Sequence, residues 1–132
     1  MKKPIHKTLK SAGADVCAAE SIVLMPMQVT KVRTGAYVPS VIIHDNPRST
    51  SFLMLTIRSS LAFQGLMLAN GVGIIDADFT DEICMLVMNT NATPFEIKAG
   101  EAIGQLVPMT YIKGVFPVKA VNRDGGFGST GK

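Results

Sequence analysis

The sequence predicts an all-β domain, and two observations carry that prediction. Short segments rich in β-branched and apolar residues alternate with Gly, Pro and Asn along the chain. No amphipathic pattern of ordinary helix length accompanies them, which favours strands over helices. Many short strands at this spacing are typical of a sandwich, jelly roll or barrel. The chain has 132 residues, of which 47% are hydrophobic, so one domain with a real core is expected.

The individual elements follow from apolar runs and the breakers between them. The predicted strands, in chain order, are 22–24, 28–33, 38–43, 52–57, 66–68, 72–75, 83–88, 95–97 and 102–109. A single short helix is predicted at 59–64. Asn70-Gly71 stands between two apolar runs and predicts a hairpin turn, since this dipeptide favours tight β-turns. We therefore expect a β domain over residues 1–121 and a glycine-rich, flexible tail over 122–132.

Composition narrows the functional classes. The net charge of +3 fits an anionic ligand, but an aromatic content of 6% without Trp is low for a protein that stacks single-stranded nucleic acid. No apolar run reaches the roughly 20 residues of a membrane-spanning helix, and the basic N-terminus lacks a signal-peptide core. A cytoplasmic protein without membrane or nucleic-acid partners is expected. Cys17 and Cys84 are isolated, a pattern more typical of reduced core residues than of a disulfide or metal site.

Two segments carry groups suited to phosphates. The tail Gly125 to Gly131 combines backbone N–H donors, two hydroxyls and Phe127, so it could close over a nucleotide as a lid, although glycine-rich ends are usually only disordered. Arg58-Ser59-Ser60 follows a predicted strand and is suited to a phosphate clamp. Arg48-Ser49-Thr50-Ser51 has a similar composition, and composition alone does not choose between them.

Three polar residues interrupt or follow apolar stretches. Asp76 follows a predicted strand, and on an extended strand it would share a face with Asp78. Such a carboxylate could orient a water or bind a sugar hydroxyl, though an Asp-x-Asp is more often a solvated turn. Asp15 follows Ser11-Ala12-Gly13-Ala14, where it could cap a turn or stand near Mg²⁺. Gln105 lies within an apolar strand and must bond either the backbone or a ligand.

Taken together and in order, these segments resemble the five motifs of the trimeric dUTPase family. The resemblance spans nearly the whole chain and is most specific in motifs three and five. The matching segments, motif one to motif five, are Ala12 to Val16, Arg58 to Ala62, Asn70 to Ile83 through Gly73-Ile74-Ile75-Asp76, Gly100 to Val107, and Gly125 to Gly131. The short distance to Asn70 favours Arg58 over Arg48 as motif two.

The resemblance implies a jelly-roll-like (β-clip) barrel, a homotrimer with shared active sites, and Mg²⁺-assisted hydrolysis of dUTP to dUMP and pyrophosphate. It implies that Asp76 binds the deoxyribose 3′-hydroxyl and activates the attacking water. Phe79 would stack under the deoxyribose and exclude a 2′-hydroxyl, and Asp15 would reach Mg²⁺ through water. The remaining residues implied to bind substrate are Arg58, Ser59, Ser60, Asn70, Gly73, Ile74, Ile75, Cys84, Gln105, Arg123, Phe127, Gly128, Ser129 and Thr130.

Several positions depart from the family pattern. Phe79 stands where Tyr is usual, Ala102 where Arg is usual and Asp81 where Gly is usual, while Arg123 is displaced by one position. The alternative enzyme is a dCTP deaminase of the same superfamily, which resembles this chain in fold but uses a Glu near the position of Asp76 and lacks the Gly-Phe-Gly-Ser-Thr tail. A dUTPase-like regulatory protein with slow turnover and a β-barrel nucleic-acid binder are the remaining alternatives.

Overall fold

The computed structural model describes residues 3–40 and 49–119, and it confirms the all-β prediction. The chain folds into antiparallel sheets with a jelly-roll-like arrangement. The elements, in chain order, are β1 (Ile5–His6), β2 (Ala14–Cys17), β3 (Ile22–Leu24), β4 (Val29–Ala36), β5 (Ser49–Ile57), α1 (Ser59–Phe63), β6 (Leu66–Leu68), β7 (Gly73–Asp76), β8 (Ile83–Asn89), β9 (Phe95–Ile97) and β10 (Ala102–Ile112).

Three sheets make up the described part of the fold. The largest has the order β1-β2-β10-β5-β7, so the last strand of the described chain lies at its centre. A second sheet has the order β4-β8-β6, and β3 pairs with β9 in a third. The inner faces of these sheets form one core, in which Leu24, Val32, Ile83 and Met85 are fully buried. Alternation along β4 and β8 turns every second side chain toward this core.

Asn89 is a buried polar residue that ties the end of β8 to its surroundings. Its side chain is inaccessible to solvent. The Nδ2 group donates to the carbonyls of Leu24 and Thr93, each at 2.9 Å, and Oδ1 accepts from the backbone N–H of Asn91 at 2.9 Å. These hydrogen bonds offset the cost of removing the Asn89 amide from water, and they fix the turn after β8.

Most predicted strands are confirmed, with shifted ends. Strands β3, β6 and β9 have the predicted bounds, while β5 and β10 are longer than predicted and α1 confirms the short helix. The short strands β1 and β2 were not predicted. The predicted strand 38–43 is wrong at 38–40, where Pro39 has no N–H to donate to a ladder. Its remainder lies outside the described residues.

The turn predicted at Asn70-Gly71 is present, but the predicted hairpin is not. The chain turns there, with the N–H of Gly71 donating to the carbonyl of Leu68 at 3.0 Å. The flanking strands do not form a hairpin with each other, because β6 pairs with β8 and β7 pairs with β5. The turn therefore carries the chain from one sheet to another.

Candidate active site

Strand β10 brings motifs one and four together. Gln105 of β10 lies opposite Asp15 of β2 on one side and opposite Thr56 of β5 on the other. The Gln105 side chain packs so closely over Gly13 that an added Cβ there would lie 2.4 Å from its Oε1 and 2.9 Å from its Cδ. Only glycine leaves room for the carboxamide in this position, so the register of two distant strands and one glycine together orient Gln105.

Motif two lies beside motif four. Arg58 stands between β5 and α1, where its backbone is extended. Its N–H donates to the carbonyl of Ile103 at 3.1 Å, and its guanidinium donates to the carbonyl of Ala102 at 3.4 Å. Ser59 and Ser60 follow in α1 with exposed side chains. The structure therefore brings motif two beside the first residues of β10, and the same strand pairs Gln105 with Asp15.

Motif three lies on the opposite edge of β5. Strand β7 pairs with β5 so that Gly73 lies opposite Leu55 and Asp76 lies opposite Phe52. Arg58 follows the other end of β5. The five residue-to-residue steps from Phe52 to Ile57 span roughly 17 Å of extended strand. Within one chain, the register thus places the Asp76 backbone far along the sheet from the motif two cluster.

The loop between β7 and β8 carries Phe79. The N–H of Phe79 donates to the carbonyl of Asp76 at 3.1 Å, which closes a turn directly after β7. The Phe79 ring is partly buried and packs against the core, whereas Asp76 is exposed. Asp78 lies in this turn and not on an extended strand, so the expectation that Asp76 and Asp78 share a strand face is wrong.

The segment before Asp76 consists of a turn and the first residues of β7. It carries Asn70 in the turn and Ile74 and Ile75 in the strand. Asn70 is exposed, and its carbonyl accepts from the N–H of Val72 at 2.9 Å. Ile74 is exposed and Ile75 is partly buried against the core. Gly73 is buried. A Cβ added there would lie 3.1 Å from the Cβ of Leu55. This segment thus exposes both polar and apolar side chains.

Cys84 lies on β8 opposite Arg33 and is buried. Burial raises the pKa of its thiol above the ordinary value, and the nearby Glu82 carboxylate raises it further. Cys17 and Cys84 form no disulfide with each other, and only Cys84 is buried as expected of a core residue, whereas Cys17 is partly buried.

Sequence reasoning missed one polar cluster, which is built around Glu82 near the end of motif three. Glu82, which directly precedes β8, accepts hydrogen bonds from the Nε of Arg33 at 3.1 Å and from the N–H of Gly35 at 2.7 Å. Arg33 also lies 3.8 Å from Glu20. No local pattern indicates this pairing, because Arg33 and Glu82 meet only through the β4-β8 register.

A cavity of about 700 Å³ has Ala14 of motif one and Leu106 of motif four among its lining residues. Lys3, His6, Tyr37 and Leu53 are among the residues that line it, and its walls are mainly apolar. Among the predicted site residues that the structure describes, none lines this cavity. The candidate site is instead an open surface along the sheet ends, where Ser59, Ser60 and Asp76 are exposed.

Several predicted residues and groups lie outside what the structure describes or contains. Arg123, Phe127, Gly128, Ser129 and Thr130 belong to 120–132, outside the described residues. Within the described ranges, no cluster of three or more His, Cys, Asp or Glu side chains could hold a metal alone. Mg²⁺ commonly takes one or two carboxylates and completes its shell with waters and substrate phosphates. A single half-buried Asp15 beside Gln105 fits that donor set.

Comparison with known proteins matches the chain to one family. The dUTPase family model matches residues 1–131. A deoxyuridine 5'-triphosphate nucleotidohydrolase of Desulfitobacterium hafniense is 36% identical over 138 residues, covering 98% of this chain and 87% of the relative. One from Zymomonas mobilis is 34% identical over 135 residues, covering 97% and 87%.

Solved structures agree with the sequence comparisons. The crystal structure of dUTPase from Streptococcus mutans has a TM-score of 0.70 and 28% identity to this chain, covering 89% of this chain and 88% of its own. The dUTPase of Staphylococcus bacteriophage 80alpha, solved with dUPNHPP, has a TM-score of 0.71 at 22% identity and shares the fold. The chain belongs to the dUTPase family. The prediction that it is an enzyme, a hydrolase of this family, is thereby confirmed.

Proposed function

We propose that this chain hydrolyses dUTP to dUMP and pyrophosphate by attack of a water on the α-phosphorus. The observation that supports the proposal is that motifs one and two both adjoin β10, which carries motif four: Asp15 lies opposite Gln105, and Arg58 donates to the carbonyl of Ala102. A triphosphate needs several donors and a cation to neutralise its charge in the transition state. The reaction would keep uracil out of DNA and supply dUMP for dTMP synthesis in the cytoplasm.

The chain's own residues divide into three roles. Arg58, Ser59 and Ser60 bind phosphate oxygens, and Gln105 contacts the α-phosphate region through the amide that Gly13 accommodates. The Asp76 carboxylate accepts a hydrogen bond from the 3′-hydroxyl. As a general base, it also takes a proton from the attacking water. Phe79, fixed by its turn and by the core, stacks under the deoxyribose, where a 2′-hydroxyl would meet the ring.

Asp15 is the residue that would hold Mg²⁺, through a water molecule. When bound, the ion supplies neutralising charge on the phosphate oxygens. Base recognition falls to Asn70, Gly73, Ile74 and Ile75, because backbone groups of this segment can pair with the uracil edge. Arg123, Phe127, Gly128, Ser129 and Thr130 of the tail close over the base and the γ-phosphate. Cys84 borders the substrate-binding segment from β8.

We further infer that the active site is completed between copies of the chain in a homotrimer. The register that separates Asp76 by roughly 17 Å along β5 from Ile57, the residue before Arg58, supports this arrangement, since one nucleotide must contact both groups. A second copy can bring its Asp76 next to the motif two cluster of the first. Light scattering coupled to size exclusion gives the mass directly, and a monomeric active enzyme would contradict the shared site.

The decisive experiment is pyrophosphate release from dUTP, dCTP, dTTP and UTP in the presence of Mg²⁺. We expect release from dUTP and little from the other three. Absence of release from dUTP would refute the proposed function. Ammonia release from dCTP would instead favour the deaminase alternative, and it is measured in the same samples.

A further inference from the structure

The strongest feature to which the motifs assign no role is the carboxylate of Glu82, at the end of the loop that carries Phe79. Strand β4 contains an irregularity between Arg33 and Ala36, where the register with β8 skips two residues. Gly35 lies in it with φ +70°, a conformation that favours glycine. The N–H of Gly35 donates to Glu82 Oε2 at 2.7 Å, so the bulge presents a backbone donor to the loop.

Arg33 of β4 also binds the Glu82 carboxylate. Its Nε lies 3.1 Å from Oε1 and 3.3 Å from Oε2 of Glu82. The Glu82 side chain is only 17% exposed while Arg33 is 45% exposed, so the carboxylate is shielded by the groups it binds. Hydrogen bonding with Glu82, followed by its charge, raises the pKa of Arg33. The buried Thr34 hydroxyl donates to the carbonyl of Ile83 and fixes the next residue of the same segment.

These contacts fix one end of a short loop. Its other end is the turn in which the N–H of Phe79 donates to the carbonyl of Asp76. Only Thr80 and Asp81 separate Phe79 from Glu82. The position of the Phe79 ring therefore depends on both attachments, because a loop this short transmits a displacement at Glu82 directly to Phe79.

We propose that Arg33 and Glu82 are positioning residues that set discrimination between deoxyribose and ribose, by holding Phe79 at a fixed depth beneath the sugar. This inference rests on the proposed function, in which Phe79 excludes the 2′-hydroxyl. Neither residue touches the substrate. Their effect is expected on selectivity between sugars, since a ring that shifts outward leaves room for one more oxygen atom.

The test is the ratio of the inhibition constants of UMP and dUMP in the hydrolysis of dUTP. Arg33→Met should lower this ratio about two- to fivefold, the range expected for a partly exposed ion pair. Glu82→Ala also removes the acceptor of the Gly35 N–H, so the ratio is expected to fall about tenfold. Glu82→Gln keeps an acceptor for Gly35 and should resemble Arg33→Met. Glu20→Gln, which affects only the 3.8 Å contact, is the matched control and should leave the ratio unchanged.

Circular dichroism and thermal unfolding of each variant separate positioning from stability, because a change in stability alone lowers the melting temperature without changing the ratio. If Arg33→Met and Glu82→Gln fold and keep the wild-type ratio, the inference is overturned and the proposed function stands. If the wild-type chain does not hydrolyse dUTP, both are overturned. Should Glu82→Ala fail to fold, the other two variants still decide the question.

Discussion

Replacing Gly13 by alanine tests whether Gln105 acts on the substrate through the geometry described above. The new methyl carbon would lie 2.4 Å from Oε1, 2.9 Å from Cδ and 3.0 Å from Cβ of Gln105. Contacts that short oblige the carboxamide to leave its position, and an off-rotamer side chain costs about 0.5–1.5 kcal/mol. The fold should therefore survive while the amide moves away from the phosphates.

The expected loss of activity follows from the lost hydrogen bond. A hydrogen bond to a charged group contributes about 1.5–3 kcal/mol, and each 1.4 kcal/mol corresponds to tenfold in rate, so kcat/KM for dUTP should fall roughly 10- to 150-fold. The assay is steady-state pyrophosphate release, with thermal unfolding to confirm that the variant is folded.

A double-mutant cycle provides the control. Gln105→Ala removes the group that the new methyl would displace, so Gly13→Ala should cost less than about threefold in that background. If the two substitutions multiply their effects instead, Gly13 acts independently of Gln105 and the reasoning is refuted.

Three further predictions address the chemistry, the tail and the core. Asp76→Asn should bind dUMP with wild-type affinity but lose turnover by about 10²–10⁴-fold, measured by calorimetry and pyrophosphate release; normal hydrolysis would contradict the role of Asp76. Removal of 122–132 should lower kcat/KM while leaving the melting temperature and the oligomeric state unchanged, and unchanged kinetics would refute the lid. Asn89→Ala should lower the free energy of unfolding by about 2–4 kcal/mol, because it leaves buried backbone groups unpaired; urea unfolding at fixed protein concentration measures this, and a loss below 0.5 kcal/mol would contradict it.

The sequence predicts those parts of the fold that depend on local pattern. Strands β3, β6 and β9 are bounded by breakers such as Pro26, Gly65 and Pro94, and their bounds were predicted correctly. Strand β2 was missed because it has only four residues and includes Asp15, which interrupts the apolar pattern. The turn at Asn70-Gly71 was predicted from its dipeptide, but no local pattern says that β7 pairs with β5.

The candidate site shows the same division. Motif order identified which residues to consider, yet the proximity of Asp15 to Gln105 and of Arg58 to Ala102 depends on strand register. Register is a property of long-range pairing, which hydrophobic alternation constrains only to one face. Similarly, the contact between Gly35 and Glu82 arises from an irregularity in β4 that composition does not indicate.

The central position of β10 has a consequence for the synthesis of the protein on the ribosome. Gln105 follows Asp15 by about 90 residues, so the inner edges of β2 and β5 have no partner until nearly all of the described chain has been translated. At about 5–20 residues per second this interval lasts several seconds. Unpaired strand edges are templates for aggregation. Nascent chains that stall before β10 should consequently associate with chaperones, whereas those that include β10 can close the sheet.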